Sequence, residues 1–233
     1  MKNSLILRQL FDQESSTYTY LLADSKSKEA ILIDPVLEKV DRDLRLISEL
    51  GLKLKYTIET HTHADHITGA TRISQSTGAK KVAGKFSGSE CADIYLDDLD
   101  QLQFGEHKLK ALATPGHTDG CTSYYVEGMV FTGDALLIRS NGRTDFQQGS
   151  SERLFESVKS KLYSLPDETL LYPGHDYKGE TVSTIGEEKL YNTRIKASTP
   201  KEVFIKTMSE LNLAQPKKIH EAVPANLKCG QVS

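Results

Sequence analysis

The sequence predicts an α/β fold, an αββα sandwich in a single domain, and two patterns support this prediction. The first third of the chain alternates short strands with helices, which is typical of α/β layering. The middle of the chain instead contains short strands separated by turn residues, which predicts a meander. One hydrophobic sheet in each half, with helices outside, therefore accounts for the whole pattern.

Hydrophobic spacing and turn residues give the boundaries of these elements. Apolar residues recur at spacings of three or four from Val40 to Leu50, which predicts an amphipathic helix that Gly51 would close. The first part of the chain is predicted to contain strands over 4–10, 17–23, 30–34, 53–60 and 80–83 and helices over 38–50 and 67–77. The rest is predicted to contain strands over 101–104, 107–113, 122–126, 129–132 and 169–172, a helix over 151–163, and helical and irregular structure from 181.

Length and composition limit the possible functions. The chain has 233 residues, of which 38% are hydrophobic and 26% charged, and its formal net charge is −3. We expect one domain over 1–233, with a short C-terminal extension from about residue 196. There is no basic excess that would indicate nucleic-acid binding, and the apolar runs are too short to span a membrane. The first ten residues enter a strand-like pattern without a leader, so we expect a cytoplasmic protein without membrane or nucleic-acid partners.

The three cysteines carry little functional signal. Cys91, Cys121 and Cys229 are too few and too scattered for a disulfide framework or a cysteine-based zinc site. They are consistent with a reducing compartment. We expect Cys91 and Cys121 to be structural and Cys229 to be a buried, inert thiol, although its position near the C-terminus leaves a redox role open.

The histidines carry the strongest signal. Residues 59–66 read Glu-Thr-His-Thr-His-Ala-Asp-His, so His61, His63, Asp65 and His66 lie within six positions, just after a predicted strand. Packing these groups together costs desolvation and charge repulsion unless a cation joins them. Imidazole and carboxylate ligands suit zinc, iron and manganese, so this segment predicts a metal site.

Three further polar residues follow predicted strands and turns in the same way. His117 follows Thr-Pro-Gly, Asp134 follows Phe-Thr-Gly, and His175 follows Tyr-Pro-Gly. Each alone would be read as an ordinary turn or packed residue, but the repeated pattern of strand, turn and ligand is how a rigid scaffold assembles a site. His107 and His220 lack this setting and are expected to be structural or exposed.

The order and spacing of these motifs resemble the metallo-β-lactamase superfamily from about residue 15 to the C-terminus. The motifs are His-Thr-His-Ala-Asp-His, then Gly-His-Thr, then Gly-Asp, then Gly-His. The resemblance is more specific, to the ETHE1-like persulfide dioxygenases, in residues 59–69, 132–139, 142–147, 175–177 and 223–230. It implies the αββα metallo-β-lactamase sandwich.

The resemblance also implies a catalytic metal centre. It implies one Fe(II) per subunit, held by His61, His117 and Asp134, a facial triad that leaves open positions for a persulfide sulfur and O2. The implied reaction oxidises glutathione persulfide with O2 to sulfite and glutathione, and the implied assembly is a homodimer. The groups that the resemblance places behind the ligands, where they would orient them through hydrogen bonds, are His63, Asp65, His66 and His175.

The resemblance points to two substrate-binding residues. Tyr177 and Arg194 match positions that the family uses for glutathione, and an arginine can clamp a carboxylate through two hydrogen bonds. The alternative for Arg194 is a solvated helix residue. Arg143 and Asp145 are expected to form a structural ion pair in the turn that supports Asp134.

Two other functions remain open at this level. A glyoxalase II-like thioesterase would hydrolyse acyl-glutathione with two metals, and the residues for a second metal are present: Asp65, His66 and His175, with Asp134 able to bridge. Spacing alone therefore allows one metal or two. That family has a longer helical C-terminal region, which disfavours this alternative. A non-catalytic metal-binding protein is disfavoured because a protein without chemistry has no need for open coordination positions.

Overall fold

Two sheets of six strands each form the centre of the computed structural model, which describes residues 4–216 and 218–231. In the first sheet the strands lie in chain order, antiparallel from β1 to β3 and parallel from β3 to β6. Its strands are β1 (Leu5–Asp12), β2 (Thr17–Asp24), β3 (Glu29–Ile33), β4 (Lys53–Ile58), β5 (Lys80–Gly84) and β6 (Ile94–Leu96).

The second sheet has the order β12-β11-β10-β9-β8-β7 and is antiparallel except for the β10–β11 pair. Its strands are β7 (Gln101–Phe104), β8 (His107–Ala113), β9 (Thr122–Val126), β10 (Met129–Gly133), β11 (Leu170–Pro173) and β12 (Ser183–Thr184). The helices are α1 (Val40–Glu49), α2 (Ala70–Thr77), α3 (Ser151–Ser157), α4 (Ile185–Tyr191), α5 (Lys201–Ser209) and α6 (Ile219–Leu227).

Three apolar clusters show how the layers pack. The inner cluster joins the facing sides of the two sheets, with Tyr20 and Phe131 in edge contact at 4.9 Å between ring centroids. A second cluster packs α1 and α2 against the first sheet, and a third packs α3, α4 and α5 against the second sheet. All of β2 is buried, and its alternate residues face the inner and outer clusters, as strand geometry requires. The arrangement is the predicted αββα sandwich, in a single domain.

Most predicted elements are present, with differences at their ends. The helix predicted over 67–77 begins only at Ala70, because Thr68 instead bridges to Val36. The helix predicted over 151–163 is α-helical to Ser157 and then continues as a π-helical turn over Val158–Leu162. The short strand β6 was missed. The boundary of the C-terminal extension at about residue 196 stays a prediction.

The expectation that the cysteines are too scattered for a disulfide, with Cys229 as an inert thiol, was wrong. Cys91 and Cys229 form a disulfide across 138 positions of sequence, with their Cα atoms 6.1 Å apart. The C-terminal segment folds back onto the residues around Glu90, whose amide donates to the Leu227 carbonyl. The spacing of the cysteines in the sequence does not predict this contact. Cys121 is a free, buried thiol whose pKa is raised to about 12 by burial, as expected of an inert cysteine.

Among the described residues, none of the helices has the length and apolar character needed to cross a membrane.

Candidate metal centre

The side chains of the predicted site all follow strand ends. The loop after β4 carries His61, His63, Asp65 and His66, and the second sheet contributes one residue after each of three strands. These three are His117 after β8, Asp134 after β10 and His175 after β11. The structure brings all seven side chains together where the ends of the two sheets meet, in two adjoining groups.

The first group, here called the triad, consists of His61, His117 and Asp134. Each offers one potential ligand atom, and these atoms lie within 4.8 Å of one another. The Nε2 atom of His117 is 3.7 Å from Oδ2 of Asp134, and the rings of His61 and His117 stand nearly perpendicular with centroids 4.8 Å apart. Two imidazoles and one carboxylate are thus arranged around a common point.

Hydrogen bonds to the scaffold fix the orientation of both triad histidines. The Thr60 hydroxyl donates to Asp34 Oδ2 at 2.8 Å, so it accepts from Nδ1 of His61, 3.0 Å away. Nδ1 of His117 lies 2.6 Å from the Arg143 carbonyl, which can only accept. Both rings therefore carry their proton on Nδ1 and keep the Nε2 lone pair free, which is how outer hydrogen bonds prepare histidines to bind a metal.

Electrostatics favour the ligand form of the triad. Burial and the neighbouring imidazoles of His63 and His117 hold the pKa of His61 well below its usual range, so the ring is neutral at pH 7. Burial would raise the pKa of Asp134, but the imidazole of His175 outweighs it and keeps that pKa well below the usual value. A neutral imidazole and an ionised carboxylate are the forms that coordinate a cation.

The second group, here called the quartet, consists of His63, Asp65, His66 and His175. Its donors contact one another: Oδ2 of Asp65 lies 2.9 Å from His66 Nδ1 and 3.0 Å from His175 Nε2. The Thr17 hydroxyl lies between them, 3.1 Å from Asp65 Oδ2 and 3.0 Å from His175 Nε2. All three contacts therefore use the same carboxylate oxygen of Asp65, Oδ2.

His175 connects the quartet to the triad. Its Nδ1 lies 2.6 Å from Oδ1 of Asp134, opposite the contact with Asp65. Burial opposes charge on this ring, but the carboxylates of Asp134 and Asp65 outweigh it and hold the pKa of His175 well above its usual range. The ring donates from both nitrogens and fixes the carboxylate plane of Asp134.

Some quartet nitrogens are unpaired. Nε2 of His66 and Nδ1 of His63 are buried and lack a hydrogen-bond partner among the described residues. The Nε2 atom of His63 lies 3.1 Å from Asp34 Oδ1, and burial notwithstanding, that carboxylate raises the pKa of His63 to about 9. The lone pair on Nε2 of His66 is one that a second cation could use, and it is the observation that favours the two-metal alternative.

The two predicted substrate residues lie in different settings. Tyr177 is 74% exposed, and its ring is nearly parallel to that of His175 at a centroid distance of 6.2 Å. Arg194 is half-buried and donates at 2.8 Å to the carbonyl of Asn141, in the loop that follows Asp134. Tyr177 thus flanks the metal centre at the surface, whereas Arg194 contacts the loop that follows Asp134.

The turn after Asp134 has the predicted structural role. Arg143 pairs with both carboxylate oxygens of Asp145 at 2.7 Å, and its guanidinium lies 4.3 Å above the Phe146 ring. The Gly142 amide donates to the carbonyl of Asp134 at 2.8 Å. This turn therefore holds Asp134 in place through the Gly142 amide, and it holds the His117 ring through the Arg143 carbonyl.

Several residues that support the site were not singled out from the sequence. Asp34 is predicted only as the last residue of a strand, yet its carboxylate accepts from both the amide and the hydroxyl of Thr60. Asp34 also has a positive φ of 51°, which is uncommon for a residue other than glycine and which the sequence alone does not reveal. Asn226 and Thr17 also contact the histidine loop. His107, as expected, lies outside the site, where it is buried beside Glu127.

Comparison with known proteins defines the class first. The model of the metallo-beta-lactamase superfamily matches residues 13–175, and the chain belongs to this superfamily. The bovine (Bos taurus) protein named persulfide dioxygenase ETHE1, mitochondrial, is 51% identical over 229 residues, which cover 97% of this chain and 89% of that protein. The chain therefore belongs to the family of the persulfide dioxygenase ETHE1.

A solved structure and a more distant relative complete the comparison. The crystal structure of ETHE1 from Myxococcus xanthus superposes with a TM-score of 0.95 at 52% identity and covers 97% of this chain and 100% of that one. A protein of Dictyostelium discoideum named glyoxylase B2 is 30% identical over 274 residues, 100% of this chain and 93% of its own length. The similarity to the dioxygenases thus exceeds the similarity to a glyoxalase-type protein.

Proposed function

We propose that this protein is a persulfide dioxygenase that oxidises glutathione persulfide with O2 to sulfite and glutathione at one Fe(II) per subunit. His61, His117 and Asp134 would hold the metal. The observation that carries the proposal is a difference in hydrogen bonding: both triad histidines present free Nε2 atoms, whereas in the quartet both ring nitrogens of His175 are bonded, to Asp134 and to Asp65. Membership of the ETHE1 family supports the same conclusion.

The donor set suits this metal. Two neutral imidazoles and one carboxylate are the ligands of non-haem Fe(II) oxygenases, and they leave coordination positions open. When bound, the iron supplies the redox chemistry that zinc lacks, so that sulfane sulfur can be oxidised while O2 is reduced. In the balanced reaction, persulfide, O2 and water give thiol, sulfite and protons.

The protein's own residues would orient the ligands and the substrate. Thr60 and the Arg143 carbonyl keep the histidine protons on Nδ1, and His175 holds Asp134 by donating from Nδ1. Arg194 would bind a glutathione carboxylate, and the exposed ring of Tyr177 would line the approach to the metal. Glutathione persulfide and O2 are thus the proposed partners, and a homodimer is proposed on family grounds.

The two-metal thioesterase is the second candidate, because Nε2 of His66 is buried and has no hydrogen-bond partner among the described residues. Loading the protein with Fe(II) or with Zn(II) and offering each form glutathione persulfide and S-lactoylglutathione separates the two functions. We expect sulfite only from the iron form with persulfide. Thioester hydrolysis by the zinc form, without persulfide oxidation by the iron form, would replace the proposal with the hydrolase.

Location in the cell stays a prediction. We keep the cytoplasm as the expected location, whereas the bovine relative is named as mitochondrial. A tagged protein in fractionated cells of its own source would decide between the cytoplasm and another compartment.

A further inference from the structure

The C-terminal segment contacts the backbone of the histidine loop directly. The side-chain amide of Asn226 donates to the carbonyl of His63 at 2.9 Å and to that of His66 at 2.8 Å. Its Oδ1 accepts from the amide of Thr68 at 2.8 Å. The side chain of Asn226 is buried. Its two N–H groups and its oxygen all bond to the backbone of residues 63–68.

These contacts require an amide. A carboxylate of the same shape has no N–H to donate and would bring its oxygens against two carbonyl oxygens. An apolar side chain would leave the two carbonyls and one amide of the loop buried without partners, which is costly. Asn226 is therefore matched to the conformation in which this loop presents its side chains to the metal centre.

Further contacts hold Asn226 in place. The amide of Thr71 and its hydroxyl both donate to the carbonyl of Cys229, at 3.2 and 2.6 Å. The disulfide between Cys91 and Cys229 ties the same turn to the segment before β6. Together these bonds hold the end of α6 against α2 and against the segment before β6, next to the histidine loop.

We propose that Asn226 is a positioning residue for the metal centre, acting through the backbone of the histidine loop, and that the Cys91–Cys229 disulfide tethers it there. The inference rests on the proposed function insofar as it requires a metal at the triad. His61 lies two residues before His63, whose carbonyl Asn226 bonds, and Thr60 fixes the His61 ring through Nδ1. Loss of the Asn226 hydrogen bonds would allow His61 a wider range of positions and would speed metal release.

The test measures metal release, not turnover. The wild type and the variants Asn226→Asp and Asn226→Ala are loaded anaerobically with Fe(II), and its transfer to ferrozine is timed. Glu221→Ala, an exposed change on the same helix, is the matched control. We expect iron to leave both Asn226 variants at least about tenfold faster, the usual scale for residues that orient ligands. The control should match the wild type.

The melting temperature of each metal-free protein separates positioning from general instability. The proposal requires faster iron loss from Asn226 variants that are still folded at the assay temperature. Unchanged iron loss in folded Asn226→Asp would overturn it, and so would equal acceleration in Glu221→Ala. A wild type that binds no Fe(II) would instead overturn the proposed metal centre.

Cys91→Ser keeps Asn226 and removes only the tether, so it gives a readout even if the Asn226 variants do not fold. We expect iron release from folded Cys91→Ser to be faster than from the wild type, but slower than from Asn226→Ala where that variant folds. Release at the wild-type rate from Cys91→Ser would remove the disulfide from the proposal. If the Asn226 variants were also unfolded, the same result would overturn the proposed role of Asn226.

Discussion

The triad and the quartet consist of the same kinds of side chain, but these side chains form their hydrogen bonds with different partners. In the triad, the outer atoms of His61 and His117 bond to the scaffold, and the inner nitrogens stay free. In the quartet, both ring nitrogens of His175 are bonded, one to Asp134 and the other to Asp65. The difference favours the triad as the proposed place for a cation, because the hydrogen-bond partners of a ligand decide which of its lone pairs stay free.

The largest expected effect is the loss of a triad ligand. His117→Ala should lose most bound iron and all O2-dependent turnover, because its Nε2 is proposed to bind the metal directly. Iron content measured by atomic emission checks this, with His220→Ala, an exposed histidine, as the control. Wild-type iron content in His117→Ala would refute the ligand assignment.

His175→Ala should have a smaller effect on the metal. The variant loses the hydrogen bond that orients Asp134 but keeps every proposed ligand, so the iron affinity should fall by about 10- to 100-fold with the stoichiometry unchanged at saturation. Anaerobic Fe(II) titration measures both quantities. A loss as complete as that in His117→Ala would mean that His175 is itself a ligand.

Thr60→Val tests the anchor of His61. The substitution keeps the volume but removes the hydroxyl that accepts from Nδ1 and donates to Asp34. We expect the iron affinity to fall by about tenfold, near the lower limit for a residue that orients a ligand. Thr60→Ser, which retains the hydroxyl, should bind iron nearly as the wild type does; equal losses in the two variants would show that the hydroxyl is not the cause.

Arg194→Ala should leave the metal unaffected. If Arg194 binds a glutathione carboxylate, KM for glutathione persulfide should rise by about tenfold while iron content is retained, since a hydrogen bond to a charged group contributes about 1.5–3 kcal/mol. Steady-state O2 uptake gives KM and kcat separately. An unchanged KM would remove Arg194 from the substrate site.

The sequence predicted the residues of the site better than their surroundings. His117, Asp134 and His175 were recognisable because each follows a strand and a glycine turn, and strand ends meet at the edges of sheets. The contact between Asp34 and Thr60 joins positions 26 apart, and nothing in the spacing indicates it. The helix after the histidine loop was predicted three residues too early, because apolar periodicity continues through the bridge at Thr68.

The C-terminal contacts were beyond prediction for the same reason. Cys91 and Cys229 are separated by 138 positions, and only the return of α6 to the histidine loop brings them together. Short-range patterns specify strands, turns and ligand types, whereas pairings across the chain depend on the packing of whole layers. The number of metals that the site can hold also depends on contacts across the chain, since these decide how the quartet is hydrogen-bonded.

The most direct test combines an iron count with oxygen uptake. The Fe(II)-loaded protein is mixed with glutathione persulfide, and O2 consumption and sulfite are measured against the iron bound per chain. The account predicts rapid uptake, with sulfite formed, at one iron per chain. Two metals per chain without O2 uptake, together with hydrolysis of acyl-glutathione, would contradict it.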